Sequence, residues 1–180
     1  MIFLQISLIK KMLVKKMKCE LITNLSRDIK EIAYIQNGIV ISTLKYEETE
    51  KLGQVFCEGD YFGLDSLVFG INLIDYYKVG KTRFKKESYQ LFVELLKDND
   101  YYDKFFLNLK ITFLEIASFM KKREEEVLLL NLRKIYNRSS DIKGLPKDFI
   151  LKYISEEKIN SLLENELIKD DNEFFYYNPK

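Results

Sequence analysis

The sequence predicts an α+β protein with three parts. Residues 1–98 form an N-terminal antiparallel β-roll or jelly roll, 99–123 a long dimerisation helix, and 124–180 a small C-terminal winged helix-turn-helix. Three observations predict it. Six of the seven glycines fall between Gly38 and Gly80 and none between 81 and 143, so the first part turns often and the second does not. Phe106, Leu109, Phe113, Ile116 and Met120 recur at spacings of 3, 4, 3 and 4, the seam of a coiled coil. Near the C-terminus two short apolar helical runs are followed by a compact hairpin pattern, the outline of a winged helix-turn-helix.

The elements follow in order. Glu31–Gln36 runs into Asn37-Gly38 and out through Ile39–Leu44, and Asn-Gly between β-rich flanks predicts a two-residue type I′ hairpin. Short runs at Met12–Met17, Glu20–Thr23, Gln54–Cys57 and Ile74–Val79 supply further strands, and many short strands without a helix-length segment among them favour an antiparallel sandwich or roll. From about Tyr89 the period becomes helical, with Phe92, Leu95 and Leu96 on one face and Asp98-Asn99-Asp100 placed to cap the long helix. That helix carries a second apolar stripe at Leu107, Ile111 and Leu114. A roll this small does not cover both, so one stripe is expected against the roll and the Phe106–Met120 stripe against a second copy in a homodimer, with a core helix packed within one chain as the alternative.

Lys121–Glu126 alternates charge at i, i+3 and i, i+4 spacing and reads as a solvated joint. Val127–Tyr136 is apolar and helical, and Asn137–Gly144 reads as a linker. Pro146 suits a first helical turn, Phe149–Ile154 a short helix, and Ser155 the cap of a helix over Glu156–Asn165. Leu167-Ile168 and Phe174–Tyr177 form the terminal hairpin.

Composition narrows the chemistry. The chain has 180 residues, 29 Lys plus Arg, 28 Asp plus Glu, no histidine and two cysteines. Without histidine there is no Ser-His-Asp or Cys-His nucleophile pair, no usual zinc set and no His-ligated haem, and two cysteines cannot hold a four-thiolate cluster. No enzymatic activity, metal or cofactor is expected. Cys19 and Cys57 form no C-x-x-C and read as buried small hydrophobes, which suits the cytoplasm. The apolar start, Met1–Ile9, is half the length that spans a bilayer, and no membrane partner is expected. Charge is unevenly spread. Residues 1–30 hold seven basic and two acidic side chains, read as a solvated sheet face, whereas 139–180 hold six basic and nine acidic.

Four segments carry a family resemblance. They are Tyr34-Ile35-Gln36-Asn37-Gly38-Ile39-Val40, Glu58-Gly59-Asp60-Tyr61-Phe62-Gly63, Val127–Leu132, and Ser155-x-Glu157-x-Ile159-x-x-Leu162-Leu163. With the order roll, long helix, winged module, the chain resembles the Crp/Fnr transcription regulators, whose first domain is a cyclic-nucleotide-binding-like roll. The resemblance implies a dimeric DNA-binding regulator of transcription with double-stranded DNA as its partner. Ser155, Glu157, Lys158, Asn160 and Ser161 would face base edges, and Lys147 and Lys152 would lie nearest phosphate. It also places an effector pocket at Gly63, Leu64, Asp65 and Ser66. Cyclic-nucleotide-binding members carry Glu where this chain has Leu64, and an arginine where 70–75 has none. The phosphate therefore lacks its cation, and cAMP is not expected to bind. The alternative reading is a roll-type sensor or protein-interaction module that has lost DNA binding.

Overall fold

The computed structural model describes residues 18–22, 31–46, 48–63, 74–88, 93–94, 97–98, 102, 110, 117 and 121–179. The Phe106–Met120 seam, the Leu107–Leu114 stripe, the Phe92 face, the strand expected at 12–17 and the pocket residues Leu64, Asp65 and Ser66 lie outside the described residues.

Among the described residues seven strands build the roll: β1 (Cys19–Leu21), β2 (Glu31–Asn37), β3 (Ile39–Tyr46), β4 (Thr49–Cys57), β5 (Tyr61–Phe62), β6 (Ile74–Val79) and β7 (Arg83–Ser88). They form two antiparallel sheets, one ordered β1-β6-β3-β4 and one ordered β5-β2-β7. Ala33, Ile35 and Phe62 of the second sheet meet Val40, Phe56, Ile74 and Tyr76 of the first in one apolar cluster. The ring of Phe62 lies 5.1 Å from Tyr76 and 5.4 Å from Phe84. The alternate residues of β3 and β4, among them Ile39, Ile41, Val55 and Cys57, are equally buried on the other face of the four-stranded sheet. Burial on both faces is why these strands read as nearly unbroken apolar runs.

The Asn37-Gly38 hairpin is not formed. β2 pairs with β5 and β7, and β3 pairs with β4 and β6, so the two strands flanking the dipeptide belong to different sheets. The chain turns a corner here. Gly38 takes φ +93°, and a Cβ on it would lie 2.5 Å from Thr82 Oγ1 and 2.9 Å from Thr82 Cα. Ile39 N–H donates to the Thr82 hydroxyl at 3.0 Å, and that hydroxyl lies 2.7 Å from the Val79 carbonyl. Glycine thus serves a positive φ and a close approach at a sheet-switching corner, where the sequence pattern points to a ladder. The β3–β4 hairpin turns instead between Tyr46 and Thr49, without glycine.

The C-terminal unit comprises α1 (Glu124–Arg138), β8 (Gly144–Pro146), α2 (Lys147–Ile150), α3 (Glu156–Glu164), β9 (Ile168–Asp170) and β10 (Phe174–Tyr177), with a sheet ordered β8-β10-β9. In the segment expected as a joint, the exposed Arg123 guanidinium pairs with Glu125 and Glu126 at the head of α1. The linker is shorter than its sequence suggests, because Gly144 is recruited into a strand opposite Tyr176. Pro146 stands at the N-cap of α2 and Ser155 at that of α3.

α1 lies along β4. Its buried residues Val127, Leu128, Leu132 and Ile135 join Ile39, Ile41, Val55 and Cys57 of the roll, and Phe149, Ile150 and Phe175 of the C-terminal unit, in a single apolar cluster. Among the described strands β4 stands at the edge, and Asn131, 1% exposed, extends its ladder: Nδ2 donates to the Gly53 carbonyl at 2.7 Å and Oδ1 accepts from Val55 N–H at 2.9 Å. One side chain thereby satisfies two backbone groups that α1 would otherwise bury unpaired.

Candidate nucleic-acid interface

α3 positions the candidate site. Ile159 and Leu162, three residues apart, anchor one face in the core, which turns Glu156, Glu157, Lys158, Asn160, Ser161 and Glu164 to solvent. Ser155 stands at the N-cap with extended backbone, φ −65° and ψ 150°, and its hydroxyl makes no capping bond. The helix stops by local geometry. Glu166 adopts φ 55°, Leu167 N–H donates to the Leu162 carbonyl and Glu166 N–H to that of Leu163, the paired bonds that close a helix on a left-handed residue. α3 is therefore nine residues long, one fewer than the expected Glu156–Asn165, because Asn165 serves as its C-cap.

The structure thus gathers Ser155, Glu157, Lys158, Asn160 and Ser161 on one exposed helix, with Lys152 exposed in the turn before it. Lys147 is set apart at the start of α2. It is partly buried, ion-paired with Asp170 of β9, and its Nζ lies 5.3 Å from the centre of the Phe175 ring. Lys158, the cation of α3, reaches back to α1, with Nζ 2.6 Å from Glu124 Oε2 and 3.9 Å from Glu125 Oε2. The hydrogen bond to Glu124 raises its pKa above the ordinary lysine value, so it stays charged. Sequence reasoning places these lysines beside phosphate and misses their acidic partners, which lie on other elements. Both pairs are solvent-accessible and therefore weak, so phosphate can compete for either lysine.

Gly63, the described member of the expected effector pocket, is buried with φ +87°. A feature inside the roll escapes the sequence reading. Gln54 of β4 is 3% exposed, and among the described residues neither Nε2 nor Oε1 of its amide has a hydrogen-bond partner. Its backbone is held on both sides by the Ser42 hydroxyl, which accepts from Gln54 N–H at 2.9 Å and lies 3.1 Å from the Gln54 carbonyl. The clue in the sequence is a glutamine inside an otherwise apolar run. Cys57 is buried as expected, whereas Cys19 is half-buried at the sheet edge; burial pushes the Cys57 thiol up to about 11 and that of Cys19 up to about 12. Among the described residues no cluster of His, Cys, Asp and Glu is placed to hold a metal, and no helix is long and apolar enough to cross a membrane.

No family model and no curated protein sequence matches the chain. Solved structures do. FixK2 from Bradyrhizobium japonicum superposes with a TM-score of 0.65 at 14% identity, covering 91% of this chain and 89% of that one. A cyclic nucleotide-binding domain containing protein from Listeria monocytogenes gives 0.58 at 14% identity over 98% and 97%. A CRP-family transcriptional regulator from Thermus thermophilus gives 0.57 at 12% identity over 91% and 90%. The chain shares the Crp-like fold. At these identities the likeness shows architecture alone, a mixed α/β chain built on antiparallel sheets, and it extends over both the roll and the C-terminal unit.

Proposed function

We propose that the chain is a dimeric transcription regulator of the Crp/Fnr type that acts in the cytoplasm and does not respond to cAMP. In this reading β8 to β10 form a winged helix-turn-helix with α3 as its reading helix. Ser155, Glu157, Lys158, Asn160 and Ser161 meet base edges, while Lys152 and Lys147 meet phosphate. Two copies paired along Phe106, Leu109, Phe113, Ile116 and Met120 would present two α3 helices about one turn of DNA apart, roughly 34 Å. Leu64 and the missing arginine near 70–75 remove the groups that would hold a cyclic phosphate, so Gly63, Leu64, Asp65 and Ser66 either close the roll or meet a different effector.

The observation that carries this reading is an exposed, polar α3 that follows a short helix and precedes a β-hairpin, in a chain whose fold is similar to that of a CRP-family regulator over most of its length. The test is fluorescence anisotropy on duplex DNA of random sequence between about 50 and 200 mM salt. A DNA-reading dimer binds at the low end and weakens steeply, because each neutralised phosphate releases counterions.

A second reading, a roll-type sensor or protein-interaction module without DNA binding, is favoured by one specific observation. α3 exposes Glu156, Glu157 and Glu164, and its lysine is already paired with Glu124. Absence of any DNA retention at the lowest salt would select it.

A further inference from the structure

The roll and the C-terminal unit share one apolar cluster, and three polar contacts bridge them at separate places along the seam. At the middle, Asn131 of α1 bonds both backbone groups of the β4 edge, at 2.7 and 2.9 Å. At the far end of β4, Asp60 receives two cations from α1, Arg138 at 2.8 Å and Lys134 at 3.2 Å. These two residues are four apart and so share one helix face. Asp60 is itself fixed, accepting from Cys57 N–H at 2.9 Å, and the Arg138 guanidinium also donates to the Glu58 carbonyl at 3.3 Å. At the corner between the sheets, Asn37 donates to Asp141, just beyond α1, at 2.7 Å. The Tyr77 ring of β6 meets the Phe149 ring of α2 edge-on at 5.0 Å.

Apolar contact alone resists separation but has no direction and permits sliding. Hydrogen bonds and ion pairs at spaced points along a helix fix its angle. We propose that the C-terminal unit is locked to the roll in a single orientation, so that the exposed face of α3 is presented at a fixed angle without any effector, and that Asp60 is a positioning residue of this lock. A swing of the C-terminal unit about the joint at Lys121–Glu126 would uncover Ile39, Ile41, Val55 and Cys57 and strip Gly53 and Val55 of their partners. Rigid presentation is therefore the resting state of the molecule. The inference stands whichever partner α3 takes, since it concerns the seam and not the surface of α3.

The test measures a distance across the seam in the full chain. Spin labels on genetically encoded ketone side chains at Lys51 of β4 and Glu164 of α3, both exposed and both outside the residues proposed to meet DNA, leave the two cysteines untouched. Double electron–electron resonance is expected to give one narrow distance population in the parent chain, and calorimetry one unfolding transition. Asp60→Asn keeps an acceptor for Cys57 N–H but loses the charge, and should broaden the distribution or add a second population while the chain stays folded. The double variant Lys134→Ala with Arg138→Ala breaks the same contact from the helix side and should do the same, which keeps the test decisive if Asp60→Asn fails to fold. A broad distribution in the parent chain, two separate unfolding transitions, or an unchanged narrow distribution in the variants would overturn the proposal. DNA retention measured on the same samples tells a loose seam from a chain that never binds DNA.

Discussion

Asn131→Leu probes the seam between α1 and the roll most directly. The substitution is close to isosteric and leaves the helix pattern intact, but it removes the two bonds to Gly53 and Val55. Both backbone groups stay buried under α1 and lose their partners, at about 1–3 kcal/mol each or about 2–6 kcal/mol together. Leucine recovers about 1–2 kcal/mol through apolar burial, which leaves a net loss of about 2–3 kcal/mol at the middle of these ranges. Urea unfolding followed by circular dichroism reads this as a lower midpoint at unchanged slope. Asn131→Asp sharpens the argument. Its carboxylate still accepts from Val55 N–H but faces the Gly53 carbonyl with a second acceptor, so the folded state favours the protonated acid. The folded pKa then lies above the unfolded value, and the variant is most stable below the ordinary carboxylate range and loses stability as pH rises through the raised pKa. A leucine variant within about 0.5 kcal/mol of the parent, or an aspartate variant whose stability relative to the parent ignores pH, would refute the edge-sealing role, since surface substitutions alone give changes of that size.

Three further perturbations test separate contacts. Gln54→Leu removes a buried amide without partners and should stabilise the chain by about 1–2 kcal/mol, a rise in Tm of about 3–6 °C; a fall would show that the amide is satisfied in solution. The carboxyl of Asp171 is held below its ordinary value, first by the Tyr176 hydroxyl and then by N–H groups of Glu173 and Phe174. Its contribution is therefore full above the ordinary aspartate value of 3.8 and disappears as pH falls through the lower folded value. Asp171→Asn should accordingly flatten the loss of stability as pH falls below about 4, and an identical acid profile would contradict the assignment. Phe113→Glu should give monomers by analytical ultracentrifugation if two copies pair along the Phe106–Met120 stripe, and an intact dimer would move that interface elsewhere.

Much of the element inventory was legible because its signals are local. The period of Val127–Tyr136 marked α1, Ser155 before two acidic residues marked the start of α3, and Phe174–Tyr177 marked a strand, each within a few residues of chain. The exposed set on α3 followed from the same period, since anchoring Ile159 and Leu162 turns Glu157, Asn160 and Ser161 outward. The DNA-facing role assigned to that set rests on resemblance and belongs to the proposed function.

Pairing partners depend instead on contacts between residues far apart in sequence. Asn37-Gly38 has the local chemistry of a hairpin, yet its glycine serves a corner because Thr82, 43 residues from Ile39, occupies the space beside it. Asn131 reads as an ordinary polar position of a helix until β4, 78 residues away, supplies two unpaired backbone groups. Lys158 reads as a free cation until α1 brings Glu124 across 34 residues of chain. Local propensity chooses what each segment becomes, because backbone sterics and side-chain period act over a turn or two. Which buried polar groups need partners, and which charges are already answered, is decided only when packing removes water and brings distant segments together.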